Sequence, residues 1–146
     1  MTSDCGFELL DHPADMGLKV WALELDSLFE EAGRAVFHVL LDTEKMEGES
    51  IKESFEALNP DLNLLMYDWL SELIFLFDAD AKVFLSFKVK VDQIEDDMFR
   101  LKASFSGDFF DCEKHQVKTY VKAVTLHQLK IEQINGRFEA TIYLDI

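Results

Sequence analysis

The hydrophobic pattern of this 146-residue chain predicts an α+β fold, two helices packed on an antiparallel or mixed sheet. Three observations predict it. Two stretches repeat apolar residues at helical spacing, and most of the C-terminal half alternates with the period of a strand. Between the last two alternating runs stands Asn135-Gly136, a strong short hairpin signal.

The first alternating run, "GLKVWAL", puts Leu18, Val20 and Ala22 on one face and reads as a strand. The period then changes. In "LDSLFEEAGRAVFHVLL", Leu28, Ala32, Ala35, Val36, Val39 and Leu40 line one face of a helix. Ser27 followed by Glu30 has the spacing of a capping box at its start. Gly33 lies inside this helix, which weakens it slightly and suits close packing.

"IKESFEAL" alternates again as a short strand, and "NPD" at Asn59 to Asp61 supplies a turn and an acidic helix start. The segment "LNLLMYDWLSELIFLF" carries Leu62, Leu65, Met66, Trp69, Leu70, Leu73 and Phe77 at helical spacing. So broad an apolar surface predicts burial against a sheet rather than a cofactor groove. Beyond it, "KVFLSFKVKVDQI" places Val83, Leu85, Phe87, Val89 and Val91 on one face. After the "EDD" turn, "FRLKASF" returns with Phe99, Leu101, Ala103 and Phe105 inward. "SGDFFDCEKHQVK" reads as a loop, and "YVKAVTLHQLKIEQI" and "RFEATIYLDI" read as strands on either side of the Asn-Gly turn. With no repeat, linker or low-complexity stretch, residues 1–146 are read as one domain.

Composition narrows the function. Apolar residues make up 49% of the chain and include 13 Phe, ample for one core. No run reaches the roughly 18 apolar residues that suggest a transmembrane helix. The start, "MTSDCGFELL", lacks the basic region and apolar block of a signal peptide, so a cytoplasmic protein is expected. Cys5 and Cys112 lack zinc-ligand spacing and read as free thiols, with a single long-range disulfide left open. The net charge of −15 opposes broad nucleic-acid binding, which requires Lys and Arg to neutralise phosphates. It suits a cation or a basic protein surface, or simply solubility.

Two places invite chemistry. Near the start, "LLDHPADMGLKVWA" gathers Asp11, His12 and Asp15 around Pro13. At the end, Phe138, Ala140, Ile142, Leu144 and Ile146 alternate with Glu139, Thr141, Tyr143 and Asp145. A strand running to the last residue holds the Ile146 carboxylate beside Asp145. Two such anions repel unless a cation, proton or basic group lies between them. Solvated carboxylates are the commoner outcome, but a hard cation takes oxygen donors of this kind. Elsewhere His12, His38, His115 and His127 form no HxxxH or HExxH pattern, and neither a nucleophile elbow nor a phosphate-binding glycine loop is present. No catalytic residue is assigned. Lys122, on one face with Val124 and Leu126 in "YVKAVTL", reads by itself as a lysine snorkelling at a sheet edge.

Taken together, "DHPADMGLKVWA", "SLFEEAGRAVFHVLLDTEKME", "LLMYDWLSELIFLFDAD", "FDCEKHQVKTYVKAVTLHQLKIE" and the terminal "DI" resemble the archease family. The match runs in order over essentially the whole chain, and "HxAD", "VKAVTxH" and the final "DI" are its most specific parts. The resemblance implies a protein that is not itself an enzyme. It implies an accessory factor for the GTP-dependent tRNA-splicing RNA ligase, promoting its guanylylation and multiple turnover. That ligase joins RNA ends bearing a 2′,3′-cyclic phosphate or 3′-phosphate to a 5′-hydroxyl. The resemblance also implies a divalent cation, Ca²⁺ foremost with Mg²⁺ or Mn²⁺ also fitting, on Asp15, Asp145 and the Ile146 carboxylate. Lys122 is implied in ligase activation, and Asp11 and His12 are left as solvated turn residues or support for the cation site.

Three positions depart from the family's usual pattern: Pro13 stands for Thr, Leu126 for Tyr and Cys112 for Pro. None is an implied ligand, and the Leu126 change bears on the partner contact. Two other classes remain open. A metal-dependent phosphoesterase needs a general base and a second bridging metal site, neither legible here. A general acidic chaperone or adaptor would use the negative surface alone.

Overall fold

The computed structural model describes residues 5–11 and 15–146. Ten elements carry the fold: β1 (Gly6–Asp11), β2 (Asp15–Ala22), α1 (Leu25–Leu40), β3 (Ile51–Asn59) and α2 (Leu62–Asp80), followed by β4 (Lys82–Glu95), β5 (Met98–Phe109), β6 (Ala123–Val124), β7 (Lys130–Ile134) and β8 (Arg137–Asp145). The predicted α+β class holds, with one refinement. The strands form two sheets rather than one, and every pairing is antiparallel. One sheet runs β1-β2-β8-β6 with β7 also pairing β8; the other runs β3-β5-β4.

Both helices bury against these sheets. On α2, Leu65, Met66, Trp69, Leu70 and Leu73 are fully buried, as the helical spacing predicts. The Trp69 ring packs edge-on to Phe105 at 5.3 Å and Phe87 at 6.1 Å, and its indole N–H donates to the Phe29 carbonyl at 2.9 Å. This one side chain therefore joins α2, α1, β4 and β5. Gly33 lets α1 approach β4 closely, since a Cβ there would meet the Phe87 ring at 3.0 Å. Asp61 caps α2 by accepting from the Asn63 amide at 2.8 Å, as the "NPD" turn predicts.

The capping box on α1 does not form. The helix begins at Leu25, so Ser27 already lies in its first turn, and no side chain caps Glu24. Glu30 serves the neighbouring sheet instead: it accepts from the Val89 amide at 2.9 Å, and Asp26 accepts from Val91 at 2.8 Å. These amides lie on the open side of β4, so helix carboxylates satisfy a sheet edge.

Three strand readings also change. Strand β1 was not apparent in the sequence, and it pairs with β2 from Gly6↔Trp21 to Asp11↔Met16. The register of β4 shifts between Phe84 and Ser86, so Phe84 is buried and Leu85 is displaced from the inward row. Strand β5 continues to Phe109, shortening the expected loop. The Asn-Gly hairpin forms as predicted, with φ of 53° at Asn135 and 79° at Gly136. Cys5 and Cys112 are not joined in a disulfide. No helix among the described residues is long and apolar enough to cross a membrane.

Candidate functional site

The register of β2 against β8 brings the two ends of the chain together. Leu18 faces Ile142, Met16 faces Leu144, and the last rung sets Asp15 directly opposite Asp145. Leu144 and Ile142 are fully buried, so alternation turns Asp145 to the other face, with Tyr143 and Thr141. Residues opposite one another in an antiparallel pair share a face, with Cβ atoms about 4.5–5.5 Å apart. Both carboxylates are half-buried. Gly17 keeps the approach open beside them, because a Cβ there would meet the Tyr143 ring at 2.9 Å.

Lys122 comes to the same rung by its main chain. Its amide donates to the Asp145 carbonyl at 2.7 Å, while Asp145 also pairs with Ala123 in register. Thr125 extends this seam by donating to the Tyr143 carbonyl at 3.0 Å. The expected strand over "YVKAVTL" is only the two residues of β6. Val121 and Val124 are buried three residues apart, and Gln128 turns the chain at φ 54°. Lys122 consequently shares no apolar face with Val124; it projects as an exposed residue. Tyr120 and Leu126 near it are 57% and 55% exposed. Sequence patterning missed this exposed apolar pair, because alternation made the segment look like a half-buried strand.

Asp15, Asp145 and Lys122, distant in sequence, thus meet at one end of the five-stranded sheet. Among the described residues no group of three or more His, Cys, Asp or Glu side chains converges for a metal. The opposed Asp pair therefore supplies two side-chain oxygen donors, and Ile146, 40% exposed, follows Asp145 directly. Asp11 closes β1 opposite Met16, whereas His12 and Pro13 lie outside the described residues. Farther along the same face the charges are matched. Glu139 is ion-paired with Lys19 at 3.2 Å and Arg137 at 3.3 Å, and the Arg137 guanidinium lies 5.4 Å from the Trp21 ring centre.

A model of the Archease protein family matches residues 7–146. The chain belongs to the archease family. An archease protein of Methanosarcina mazei is 39% identical over 140 residues, covering 96% of this chain and 95% of that one. The archease protein of Sulfolobus acidocaldarius is 36% identical, covering 96% and 98%. The solution structure of Methanobacterium thermoautotrophicum protein 1598 superposes with a TM-score of 0.85 at 36% identity, covering 97% of this chain and 99% of that chain. A crystal structure of a Thermotoga maritima archease, described as a possible chaperone, has a TM-score of 0.56 at 16% identity, covering 94% of each chain. The second likeness speaks to the archease fold alone.

Proposed function

We propose that this archease is an accessory protein of the cytosol that activates a GTP-dependent tRNA-splicing RNA ligase by promoting its guanylylation and multiple turnover. Asp15, Asp145 and the Ile146 carboxylate hold a divalent cation, with Ca²⁺ favoured over Mg²⁺ or Mn²⁺. The observation that carries the reading is the end rung of β2 and β8. It sets two carboxylates on one face across one rung, and a hard cation takes oxygen donors of this kind. When bound, the ion supplies charge neutralisation and a fixed end to the sheet.

Lys122 then acts outward. Its amide is tied to Asp145, so whatever orders the rung also orders the lysine backbone. Lys122 is exposed, and so are Tyr120 and Leu126, two and four residues from it in sequence; a charged segment with exposed apolar side chains suits a protein partner.

Multiple-turnover ligation with the cognate ligase tests the proposal. Lys122→Ala should melt like the parent, since exposed substitutions usually lie within about ±0.5 kcal/mol. It should lose a charged hydrogen bond of about 1.5–3 kcal/mol, a tenfold to hundredfold fall in stimulation. Lys122→Arg should recover only part of that loss if a compact ammonium is required. Full stimulation by Lys122→Ala would remove the lysine from the mechanism. Hydrolysis of phosphate esters by the isolated chain with Mn²⁺ would favour the phosphoesterase reading. Suppression of aggregation of unrelated proteins would favour a general chaperone.

A further inference from the structure

The outward face of the three-stranded sheet carries a different chemistry from the rest of this acidic chain. Its rungs read Lys52–Ser106–Ser86, Ser54–Ser104–Lys88, Glu56–Lys102–Lys90 and Leu58–Arg100–Asp92 across β3, β5 and β4. Five of the chain's 14 Lys and Arg stand in these rungs, against two of its 29 Asp and Glu. The local charge is thus opposite in sign to the net −15.

Four serines form the floor and four lysines ring it. Two adjoining hollows of about 560 and 330 Å³ occupy this face and share Lys88 and Ser104. Arg100 is held by Asp92 at 3.9 Å, but Lys52, Lys88, Lys90 and Lys102 make no ion pair among the described residues. Of the acids lining the hollows, Glu53 is ion-paired with Lys82, whereas Asp26, which accepts from the neutral Val91 amide, Glu49 and Glu56 keep their charge beside the lysines, Glu56 directly opposite Lys102. Lys90 stands directly opposite Lys102, a like-charge rung that costs stability.

Edge protection does not account for this arrangement. Lysines often guard exposed strands, yet on β4 Asp26 and Glu30 already occupy the edge amides of Val91 and Val89. Lys102 moreover sits on the central strand. A protein partner fits poorly, because the floor offers serines where a protein interface places large apolar or aromatic anchors. Nucleic-acid interfaces are polar and strongly positive. Lysine, a compact point charge with three donors, suits phosphate oxygens without a planar fork. Adjacent rungs on one face lie two residues apart, so the first and third are separated by about 13 Å. A single phosphate meets one rung, whereas a strand of linked phosphates meets all three.

We propose that this face binds the phosphodiester backbone of single-stranded RNA, through Lys52, Lys88, Lys90 and Lys102 over the hydroxyls of Ser54, Ser86, Ser104 and Ser106. The aromatics at these hollows, Phe55, Phe87 and Phe105, belong to the inward rows packed in the core rather than to the outward rungs, so recognition is of backbone rather than sequence. The net charge measures the whole surface and conceals this face. The proposal is independent of the cation rung, which lies on the other sheet.

Fluorescence anisotropy of a labelled oligouridylate of about a dozen nucleotides tests it on the full chain across a salt series. Binding should be saturable at low salt, and each phosphate contact should contribute about −0.7 to the slope of log K against log salt. Lys88→Gln/Lys102→Gln should weaken binding on the order of tenfold or more and reduce the slope by about 1.4. Lys114→Gln/Lys118→Gln, with the same net charge but outside this face, should retain parental affinity and slope. Absence of saturable binding at low salt would overturn the proposal, as would equal losses in the two double variants. Tighter binding to polyglutamate than to RNA would assign the face to an acidic protein instead. Full competition by inorganic phosphate at matched phosphate concentration would reduce it to a single-anion site.

Discussion

Both sheets set like charges opposite one another, and two of these rungs have opposite sign. On the five-stranded sheet Asp15 opposes Asp145; on the three-stranded sheet Lys90 opposes Lys102. Their settings differ. The carboxylate rung closes the end of β2 and β8, where the Lys122 amide also binds the Asp145 carbonyl, so three segments of the chain meet there. The lysine rung lies within an open face floored by serines, where nothing closes over it. A converging end suits one small ion, and an open row suits an extended polyanion. Residue type sets the sign of the charge each rung suits, and the position of the rung within its sheet sets how extended that charge can be.

The strongest way to break this comparison is to remove the core that both sheets share. Trp69→Ala should cost about 3–5 kcal/mol, because the side chain is fully buried between both helices and β4 and β5. Urea unfolding followed at both far-ultraviolet and aromatic wavelengths should give coincident transitions shifted together. Separate transitions would mean that the sheets fold as independent units and that their rungs are not comparable parts of one structure.

Relieving the lysine rung sharpens the comparison with a smaller effect. Lys90→Gln should stabilise the chain by a few tenths to about 1 kcal/mol at low salt, where repulsion across the rung is greatest. Urea midpoints should show the gain shrinking as salt rises. A loss of stability at every salt concentration would mean that the rung is compensated.

The smallest effect concerns Asp108, beside the inner end of the same sheet. The Ser50 hydroxyl donates to it at 2.7 Å and the Phe109 amide at 2.8 Å, which together hold its carboxyl below the ordinary 3.8. A depressed folded value gives stability that is present above the unfolded value and lost as pH falls through the folded one. Asp108→Asn should therefore melt lower than the parent at neutral pH, with the gap closing as the solution is acidified below about pH 4. A gap independent of pH would assign the effect to packing rather than charge.

Much of the fold was legible because strict alternation and helical spacing leave few readings. On β8 the buried row of Ala140, Ile142 and Leu144 follows directly from the sequence, as does the Leu65, Met66, Trp69, Leu70, Leu73 face of α2. Legibility failed where main-chain bonds overrode the pattern. "YVKAVTL" alternates like a strand, yet the Lys122 and Thr125 amides bind β8 at spaced points and Gln128 turns the chain away. The bulge at Leu85 likewise exchanges it for Phe84 in the core, a shift no periodicity announces. Asp145 was visible as an outward carboxylate near the terminus, but its pairing with Asp15 depends on register across the whole chain. Register is a property of two strands, and single-strand patterns do not carry it.

The cation rung is the central claim, and calorimetric titration with Ca²⁺ and Mn²⁺ tests it most directly. Three proteins are compared: the parent chain, Asp145→Asn, and a chain lengthened beyond Ile146 so that its carboxylate becomes an amide. The account predicts saturable binding of one divalent ion by the parent, and losses of tenfold or more in both altered chains. Even groups that merely support a ligand cost about 10–100-fold when removed, and a ligand itself should cost no less. Melting temperatures measured without metal should stay close to the parent, separating lost ligation from lost structure. Unchanged affinity in both altered chains, or a parent that binds neither ion, would contradict the account.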